Sequence, residues 1–463
     1  MKKTLIYFVI GLSFTLSGIS CTHEKIITQH SDASHSRMIV INTEVNYDKP
    51  IIFDKEVTIY PEAFITTTGK GKIIFTKKVN IIGESQVFDT DIDVTFQSAT
   101  ISAINPTWFG ARGYDELDDT KAFQKILSII KVYPNSINIE IPIGIFKISK
   151  TLMLGNEIPN GKSINLIGQS MSVGSFSGSV LEWVGEPGGS MLLLKNICVS
   201  ILDGIDFMAS PDHLMKHNLE FRPYDYQITV KNCSLSGCAG PGSANINLNK
   251  DNDAQVSEIQ FQNCTFHGYT RDNKTWNTES AIAGGKGNTK NFSFQSCSFL
   301  GYTDAAINIG STDMLRVDFC TFALNEVDIK CIIGNTFATS NYSEQSKSFF
   351  QSGMSGNLSF TTFANNYFDG NEKDDYFIRD GSGGLILLNN NFGGNGGYDK
   401  INKISWDSKD LSHIFSVDNF YRNSPDINSP FVDRNNRTQT LNIMTDGDKI
   451  GADGGHFRVL KGE

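Results

Sequence analysis

The chain has 463 residues and a formal net charge of −10, and it contains neither a basic run nor a basic stripe. This charge argues against nucleic acid and anionic membrane surfaces as partners, and it suits neutral or weakly charged ones. Proline is scarce (12 residues), whereas Gly (42) and Phe (32) are abundant. Turn formers combined with β-formers predict many short strands, and a chain this long requires a barrel or a repeat stack if it forms one unit.

The first residues have the pattern of a secretory signal. Lys2 and Lys3 precede an uncharged apolar stretch, residues 4–18, and small residues lead to Cys21. The stretch is too short for a lasting membrane span, and no later stretch reaches the roughly 18 apolar residues required. Residues 18–21 resemble the lipobox of bacterial lipoproteins, with an ordinary signal peptide and a chance cysteine as the alternative. The resemblance implies an exported protein, lipid-anchored at Cys21 to the outer membrane on its periplasmic or surface face, and attached only through that lipid.

After a flexible tether, residues 22–38, the chain changes character. Residues 39–104 form a run of short β-type segments broken by Gly and polar residues. Only residues 119–133 have a clear helical pattern. Asp118 or Asp119 can cap this helix, so the acidic pair is interpreted as structural although it resembles a catalytic dyad.

The second half contains a repeat, the strongest signal in the sequence. Each copy begins with an apolar residue and ends, five positions later, with Phe or Leu. The copies are 202–207, 230–235, 261–266, 294–299, 317–322, 363–368, 387–392 and 415–420. Their last residues are 28, 31, 33, 23, 46, 24 and 28 residues apart. The interval of 46 fits either two minimal coils or one coil with a long insertion.

Within each copy the chain must bend at the third position, because only a bend turns the first and last residues inward together. Gly or Asn, which tolerate the left-handed conformation of a sharp corner, occupies this position in five of the eight copies. Stacked copies would then form two inward columns, and neighbouring residues within a column would be about 4.8 Å apart, the distance between coils. Val230, Phe261, Phe294 and Val317 form one column, and Leu235, Phe266, Phe299 and Phe322 form the other.

Four cysteines, Cys233, Cys264, Cys297 and Cys320, share one repeat position. Coil stacking places them in a line, which excludes a tetrahedral metal site. Disulfides are conceivable in an exported protein, and buried thiols acting as small apolar side chains are the favoured interpretation.

Residues 109–111 (Phe-Gly-Ala), 118–120 (Asp-Asp-Thr) and 142–146 (Pro-Ile-Gly-Ile-Phe), followed by 164–169, carry a family resemblance. They resemble the entry segment of the pectate-lyase-like superfamily, in the branch with rhamnogalacturonase-like and epimerase-like sequences and phage tailspikes. The resemblance implies an all-β fold, a right-handed parallel β-helix over residues 105–441 with a short N-terminal capping helix. It also makes a trimer one possible assembly, since tailspike-like relatives trimerise. Residues 442–463 lose the repeat and are interpreted as a C-terminal cap or tail.

In related enzymes one strand face carries the substrate cleft, and here that face would hold the candidate site. Glu279, Asp304 and Asp375 would lie near one edge of it. Outward positions of the strand beside them are Asn247, Asn308, Lys330 and Arg379. Loops before this strand hold His267, Tyr269 and Trp276, whose rings could bind sugar. A long polar stretch, residues 336–356, would wall the groove.

Two enzymatic mechanisms fit these residue types, both acting on a polysaccharide. A glycoside hydrolase would use Glu279 and Asp304 as its carboxyl pair. A polysaccharide lyase would use Lys330 or Arg379 as base, with Ca²⁺ at Glu279 and Asp304 as a possible cofactor. The alternative from another class is a non-catalytic glycan-binding or adhesive surface protein, in which the same face binds sugar without turnover.

Overall fold

The computed structural model describes residues 38–155, 162–169, 178–248, 256–268, 277–284, 290–352, 359–369, 376–392, 403–407, 414–417, 419–421, 431–432, 449–450 and 455–456. Nearly every strand in it pairs in parallel with a strand one coil away along the chain. Parallel strands joined by crossover turns in this way form a solenoid, and the right-handed sense is the one that twisted strands favour.

The N-terminal segment is itself a small three-sided stack. Three parallel sheets join the strand at 39–41 to those at 57–59 and 79–81, the strand at 44–47 to 64–67, and the strand at 50–53 to 72–75 and 94–96. The phenyl rings of Phe53, Phe75 and Phe96 stack in register, with centroids 5.1 and 5.3 Å apart. Its strands are Ile39–Ile41, Glu44–Tyr47, Pro50–Phe53, Val57–Ile59, Phe64–Thr67, Lys72–Phe75, Val79–Ile81 and Val94–Phe96.

A short 3-10 helix, Pro106–Phe109, and helix α1, Thr120–Val132, connect this stack to the main one. The apolar face of α1 is buried against the strands, and Phe123 meets Phe146 edge to face at 5.8 Å. Asp118 accepts a hydrogen bond from the Thr120 N–H, whereas the Asp119 carboxylate accepts those of Arg112 and Lys147. Asp119 lies at the N-cap but makes no side-chain capping bond, so of the two predicted caps only Asp118 bonds to the start of the helix. Both carboxylates bind backbone N–H groups, which is the structural role that the sequence predicted for the pair. In the described part of the chain no helix has the length and apolarity to cross a bilayer.

The main stack has three parallel sheets. Sheet 1 contains Leu152–Gly155, Ser190–Lys195, His217–Phe221, Ala244–Leu248, Ser280–Gly284, the first parts of Ala305–Asp318 and Ile329–Thr339, then Ser348–Ser352, Tyr376–Ser382, Lys403–Asp407 and Phe431–Val432. Sheet 2 contains Ala103–Ile104, Ile137–Glu140, Ile164–Ile167, Cys198–Asp203, Tyr226–Lys231, Ser257–Gln262, Lys290–Gln295, the second parts of the two long strands, then Phe360–Ala364, Gly384–Leu388 and Ile414–Val417. Sheet 3 contains Gly144–Ile148, Ser179–Trp183, Ile205–Ala209, Ser234–Leu235, Thr265–His267, Ser298–Leu300, Thr321–Ala323, Tyr342–Glu344, Tyr367–Asp369, Asn391–Phe392, Phe420–Tyr421 and Lys449–Ile450, with Gly455–His456 pairing antiparallel at the end.

The corner between sheets 2 and 3 lies where the repeat predicted it. Backbone φ is positive at the third position of each of the first seven copies, in Gly204, Asn232, Asn263, Ser296, Phe319, Asn365 and Asn389. Both inward columns form as expected, and the Phe266, Phe299 and Phe322 rings stack with centroids 4.9 Å apart. The eighth copy is displaced by one residue, because Leu387 pairs with Ser416 and Phe392 with Tyr421. The predicted copy 415–420 is therefore wrong by one position.

The shared cysteine position continues into an asparagine ladder. Cys233, Cys264, Cys297 and Cys320 are buried free thiols, and Asn341, Asn366, Asn390 and Asn419 occupy the same position in later coils. Each buried Asn from 341 to 390 donates one Nδ2 hydrogen bond to the Oδ1 of the next and another to a backbone carbonyl of the preceding coil. These bonds satisfy polar groups that would otherwise destabilise the core. The cysteines are structural, as expected.

The interval of 46 residues contains two coils. The strand Tyr342–Glu344 belongs to sheet 3, where Ser343 pairs with Phe322 on one side and Phe368 on the other. A serine thus stands in the phenylalanine column. The described part of the predicted groove wall, residues 336–352, consists of strands and turns of the stack, so the prediction of a wall is wrong there. Residues 353–356 lie outside the described residues. Ser343 makes a hydrogen bond with the carboxyl of Asp328, which also accepts one from Asn325 at 2.9 Å. Burial raises the pKa of Asp328 to about 7, and the hydrogen bonds only partly offset this rise.

We expect Phe319→Asn to stabilise the protein by about 1 kcal/mol, because a left-handed L-residue costs on the order of 1 kcal/mol and Asn tolerates that conformation best. Phe319 has φ +56° and is 62% exposed, so its ring contributes little burial. Urea unfolding of the variant and the wild type would measure the change. Phe360→Asn is the control, since Phe360 is also exposed but lies within a strand, where Asn is unfavourable. A Phe319→Asn variant less stable than the wild type would contradict this account of the corner.

Asp328→Asn should alter the pH dependence of stability. Since the folded-state pKa of Asp328 lies above its ordinary value of 3.8, the native state binds more protons than the unfolded chain between about pH 4 and 7. Stability from this group therefore falls as pH rises through that window, by about 1.4 kcal/mol per tenfold change in acidity at most. The Tm of the variant minus that of the wild type should thus increase from pH 4 to pH 8 in thermal melts. A difference independent of pH would show that Asp328 is not the titrating group.

Candidate functional site

The outward face of sheet 1 carries a polar column in register. Successive pairings connect one residue from each coil, all of them polar except Ala283: Glu220, Asn247, Ala283, Asn308, Lys330, Gln351 and Arg379. The neighbouring positions Ile307, Ile309 and Ile329 are fully buried, which fixes the direction of the column as outward. The structure therefore brings together four residues that the sequence predicted on this face, namely Asn247, Asn308, Lys330 and Arg379.

Four positions before each column residue lies an edge position. The Asp304 N–H donates to the Glu279 carbonyl at 3.0 Å, so these two residues lie on adjacent coils as predicted. Extending the pairing of Ile307 with Ile329 places Glu326 next along this edge. Glu326 was missed in the sequence because Asp328 stands where the preceding coil has Ala306, which obscured the alignment. We call Glu279, Asp304 and Glu326 the acidic edge.

The acidic edge and the polar column hold each other in place. Asp304 Oδ1 lies 3.0 Å from Lys330 Nζ, and its Oδ2 accepts a hydrogen bond from Asn308 Nδ2 at 2.6 Å. Both carboxylate oxygens of Asp304 are thus engaged by donors of the column. Lys330 and Asp304 are half-buried, which restricts the positions that their side chains can take.

Glu326 forms the second linked group. Its carboxylate lies 2.6 Å from Lys347 Nζ and 3.7 Å from an Arg379 guanidinium nitrogen, so it is shared between two cations from later coils. Surface ion pairs of this kind contribute little to stability singly, but a network orients its members. The result is a row of alternating charges and amides whose members are fixed relative to one another.

Other predicted residues are less accessible or lie elsewhere. Asn247 is only 5% exposed, with its Nδ2 3.4 Å from His217 Nε2. His267 ends a strand of sheet 3, a different face, where burial lowers its imidazole pKa. Tyr269, Trp276, Asp375 and Cys21 lie outside the described residues.

The site's donors suit hydrogen bonding to hydroxyl and carboxylate groups. Amides both donate and accept, whereas Lys330 and Arg379 only donate. Glu279 and Asp304, where Ca²⁺ was considered, do not belong to any group of three or more His, Cys, Asp or Glu side chains arranged to hold a metal among the described residues. In chemical terms, this face presents hydrogen-bond donors and acceptors in a line along the stack, with carboxylates at its edge.

Comparison with known proteins finds similarity only to solved structures, and that similarity is one of fold. No family model matches the chain, and no curated protein does. Among solved structures, the Dettilon tailspike protein is similar over 76% of this chain and 68% of its own, at 12% identity and a TM-score of 0.41. PfbA, a surface adhesin of Streptococcus pneumoniae, covers 78% and 96% at 11% identity and TM-score 0.36. The family 28 exopolygalacturonase of Yersinia enterocolitica covers 77% and 79% at 10% identity and TM-score 0.37.

These likenesses are too distant to carry an argument about activity. The strand pairing within the chain itself gives the architecture, since three parallel sheets each gain one strand per coil. Left-handed corner residues between sheets 2 and 3 and ladders of identical side chains complete the pattern. The chain therefore forms a right-handed parallel β-helix.

Proposed function

We propose that this protein binds a polysaccharide along the outward face of sheet 1. The supporting observation is the register of Asn308, Lys330, Gln351 and Arg379 on four successive coils. Coils are about 4.8 Å apart, so equivalent polar groups repeat along a line. A linear repeat of donors suits a linear polymer better than a compact small molecule, which would need groups converging on one point.

The charges of the face suit a neutral or weakly acidic glycan. Each cation of the column is balanced by a carboxylate of the acidic edge, as in the Asp304–Lys330 pair. A strongly anionic ligand would have to compete with those carboxylates, whereas sugar hydroxyls can bridge between a carboxylate acceptor and an amide or ammonium donor. The signal and lipid anchor expected from the sequence would place the protein outside the cytoplasm, where such polymers occur.

Cleavage of the bound polymer is the second candidate function. Glu279 and Asp304 lie on adjacent coils, and a glycoside hydrolase needs two carboxyls roughly 5 to 9.5 Å apart. Asp304 has both oxygens engaged by Lys330 and Asn308, which suits a fixed carboxylate, and Glu279 would then act as the proton donor. A lyase would instead require Lys330 or Arg379 as base.

We expect Lys330→Ala and Arg379→Ala each to weaken polysaccharide binding about tenfold, because a hydrogen bond to a charged group contributes about 1.5 kcal/mol or more. Affinity electrophoresis in gels containing pectin, alginate, xylan or starch would measure the change. Lys195→Ala is the control, since Lys195 is an exposed lysine at the far end of sheet 1. Equal retardation of all variants and the wild type would contradict binding on this face.

Glu279→Gln and Asp304→Asn should abolish turnover and preserve binding if the protein cleaves its ligand. The wild type and both variants would be incubated with the same polymers, with and without Ca²⁺, while new reducing ends and ultraviolet absorbance from unsaturated uronates are recorded. Reducing ends alone indicate hydrolysis, and absorbance that requires Ca²⁺ indicates a lyase. Binding without either signal identifies a non-catalytic glycan-binding protein.

A further inference from the structure

A second polar surface lies on sheet 2, away from the polar column. An open groove of about 500 Å³ runs across four coils of that sheet. Its lining includes Gln227, Thr229, Glu258, Gln260, Ser293 and Arg316. Thr229, Gln260, Ser293 and Arg316 pair in register as successive outward positions, so the groove repeats with the coils as the polar column does.

The concavity has a local backbone cause. The second residue of four consecutive sheet-2 strands has positive φ, at Val199 (+50°), Gln227 (+54°), Glu258 (+57°) and Asn291 (+52°). These residues fall outside the strand pairing, which bends each strand at the same place. No extra residue is inserted, so the register is kept while each strand changes direction at this residue. The left-handed conformation is unfavourable for L-residues other than Asn and Gly, yet Val199, Gln227 and Glu258 adopt it.

The residue types at these left-handed positions differ from those at the corner between sheets 2 and 3. At that corner the left-handed positions are mostly Gly and Asn, which tolerate this conformation, together with one Ser and one Phe. Of the three left-handed residues that line the groove, Asn291 is of the same type as at the corner, whereas Gln227 and Glu258 carry longer side chains. Strained conformations that hold functional groups in place tend to mark binding sites.

The lining chemistry indicates the ligand class. Amides and hydroxyls of Gln227, Gln260 and Ser293 both donate and accept hydrogen bonds, as sugar hydroxyls do. Glu258 adds an acceptor and Arg316 adds a donor. The Arg316 Nε lies 3.4 Å from an Asp318 carboxylate oxygen. One anion and one cation leave the groove close to neutral. We propose that the sheet-2 groove is a second, non-catalytic glycan site that holds a neutral or weakly acidic oligosaccharide segment of a longer polymer.

The double variant Gln260→Ala/Arg316→Ala tests this site in the full chain. We expect it to lose at least tenfold in affinity for the polymer that the wild type binds most tightly, among pectin, alginate, xylan and starch in affinity gels. The matched control is Lys231→Ala/Gln295→Ala, which removes one cation and one amide from the neighbouring outward column of the same sheet, outside the groove. Ser293→Tyr, which fills the groove without removing a charge, should give the same loss.

Each outcome separates this site from the one on sheet 1. Loss in Gln260→Ala/Arg316→Ala and Ser293→Tyr with wild-type affinity in the control supports the groove, even if Lys330→Ala has no effect. Wild-type affinity in both groove variants, with loss in Lys330→Ala, overturns the groove and leaves the sheet-1 proposal standing. A wild type that binds none of the four polymers overturns both. Sedimentation velocity would reveal a groove variant that converts an oligomer to monomers, which would identify a subunit contact and overturn the glycan assignment.

Discussion

The structure depends on one constraint, the fixed spacing between hydrogen-bonded parallel strands. Phe261 and Phe294 stack with ring centroids 4.8 Å apart, and Phe266, Phe299 and Phe322 follow at 4.9 Å. Because adjacent coils cannot lie closer or farther apart, each side chain is placed directly against its equivalent in the next coil. Inside, this favours rows of identical side chains, such as phenylalanines, cysteines and asparagines. Outside, the same spacing turns single polar residues into lines, which is how both candidate binding surfaces arise.

The sequence predicted the features that this spacing repeats. Gly or Asn at the third position of five of the eight copies predicted the left-handed corner, and the Phe and Leu positions predicted the inward columns. The prediction failed where one residue broke the row. Ser343 takes the place of an aromatic residue, so its coil was indistinguishable from an insertion, and Asp328 hid the alignment of Glu326. In the last copy, residues 415–420 fit the apolar-to-aromatic pattern, but the structure adopts the register that begins at Ser416 and aligns Asn419 with the buried ladder.

The candidate site was predictable in its placement and not in its contacts. Asn308 and Arg379 were expected on one face because each follows an acidic residue, Asp304 or Asp375, by four positions. The segment that contains Lys330 aligned with theirs less cleanly. That Asp304 would be held at both oxygens depends on side-chain geometry that no spacing encodes. The sheet-2 groove had no signal in the sequence, because Gln227 and Glu258 are not residue types that indicate a left-handed backbone. Its shape is a property of bends accumulated over several coils, and it emerges only when those coils are stacked.

The buried cysteines make the order of events during folding important. In the folded stack, burial raises the pKa of the Cys233, Cys264 and Cys297 thiols well above the ordinary value, so they remain protonated and sealed from oxidants. An unfolded chain has no such protection, and its thiols could pair in many combinations that the stack cannot accommodate. If the protein is exported to an oxidising compartment, its coils must assemble before those thiols oxidise. A solenoid can nucleate on any one coil and grow by adding the neighbouring coil. This mode of folding would shorten the time during which the thiols are exposed to oxidation.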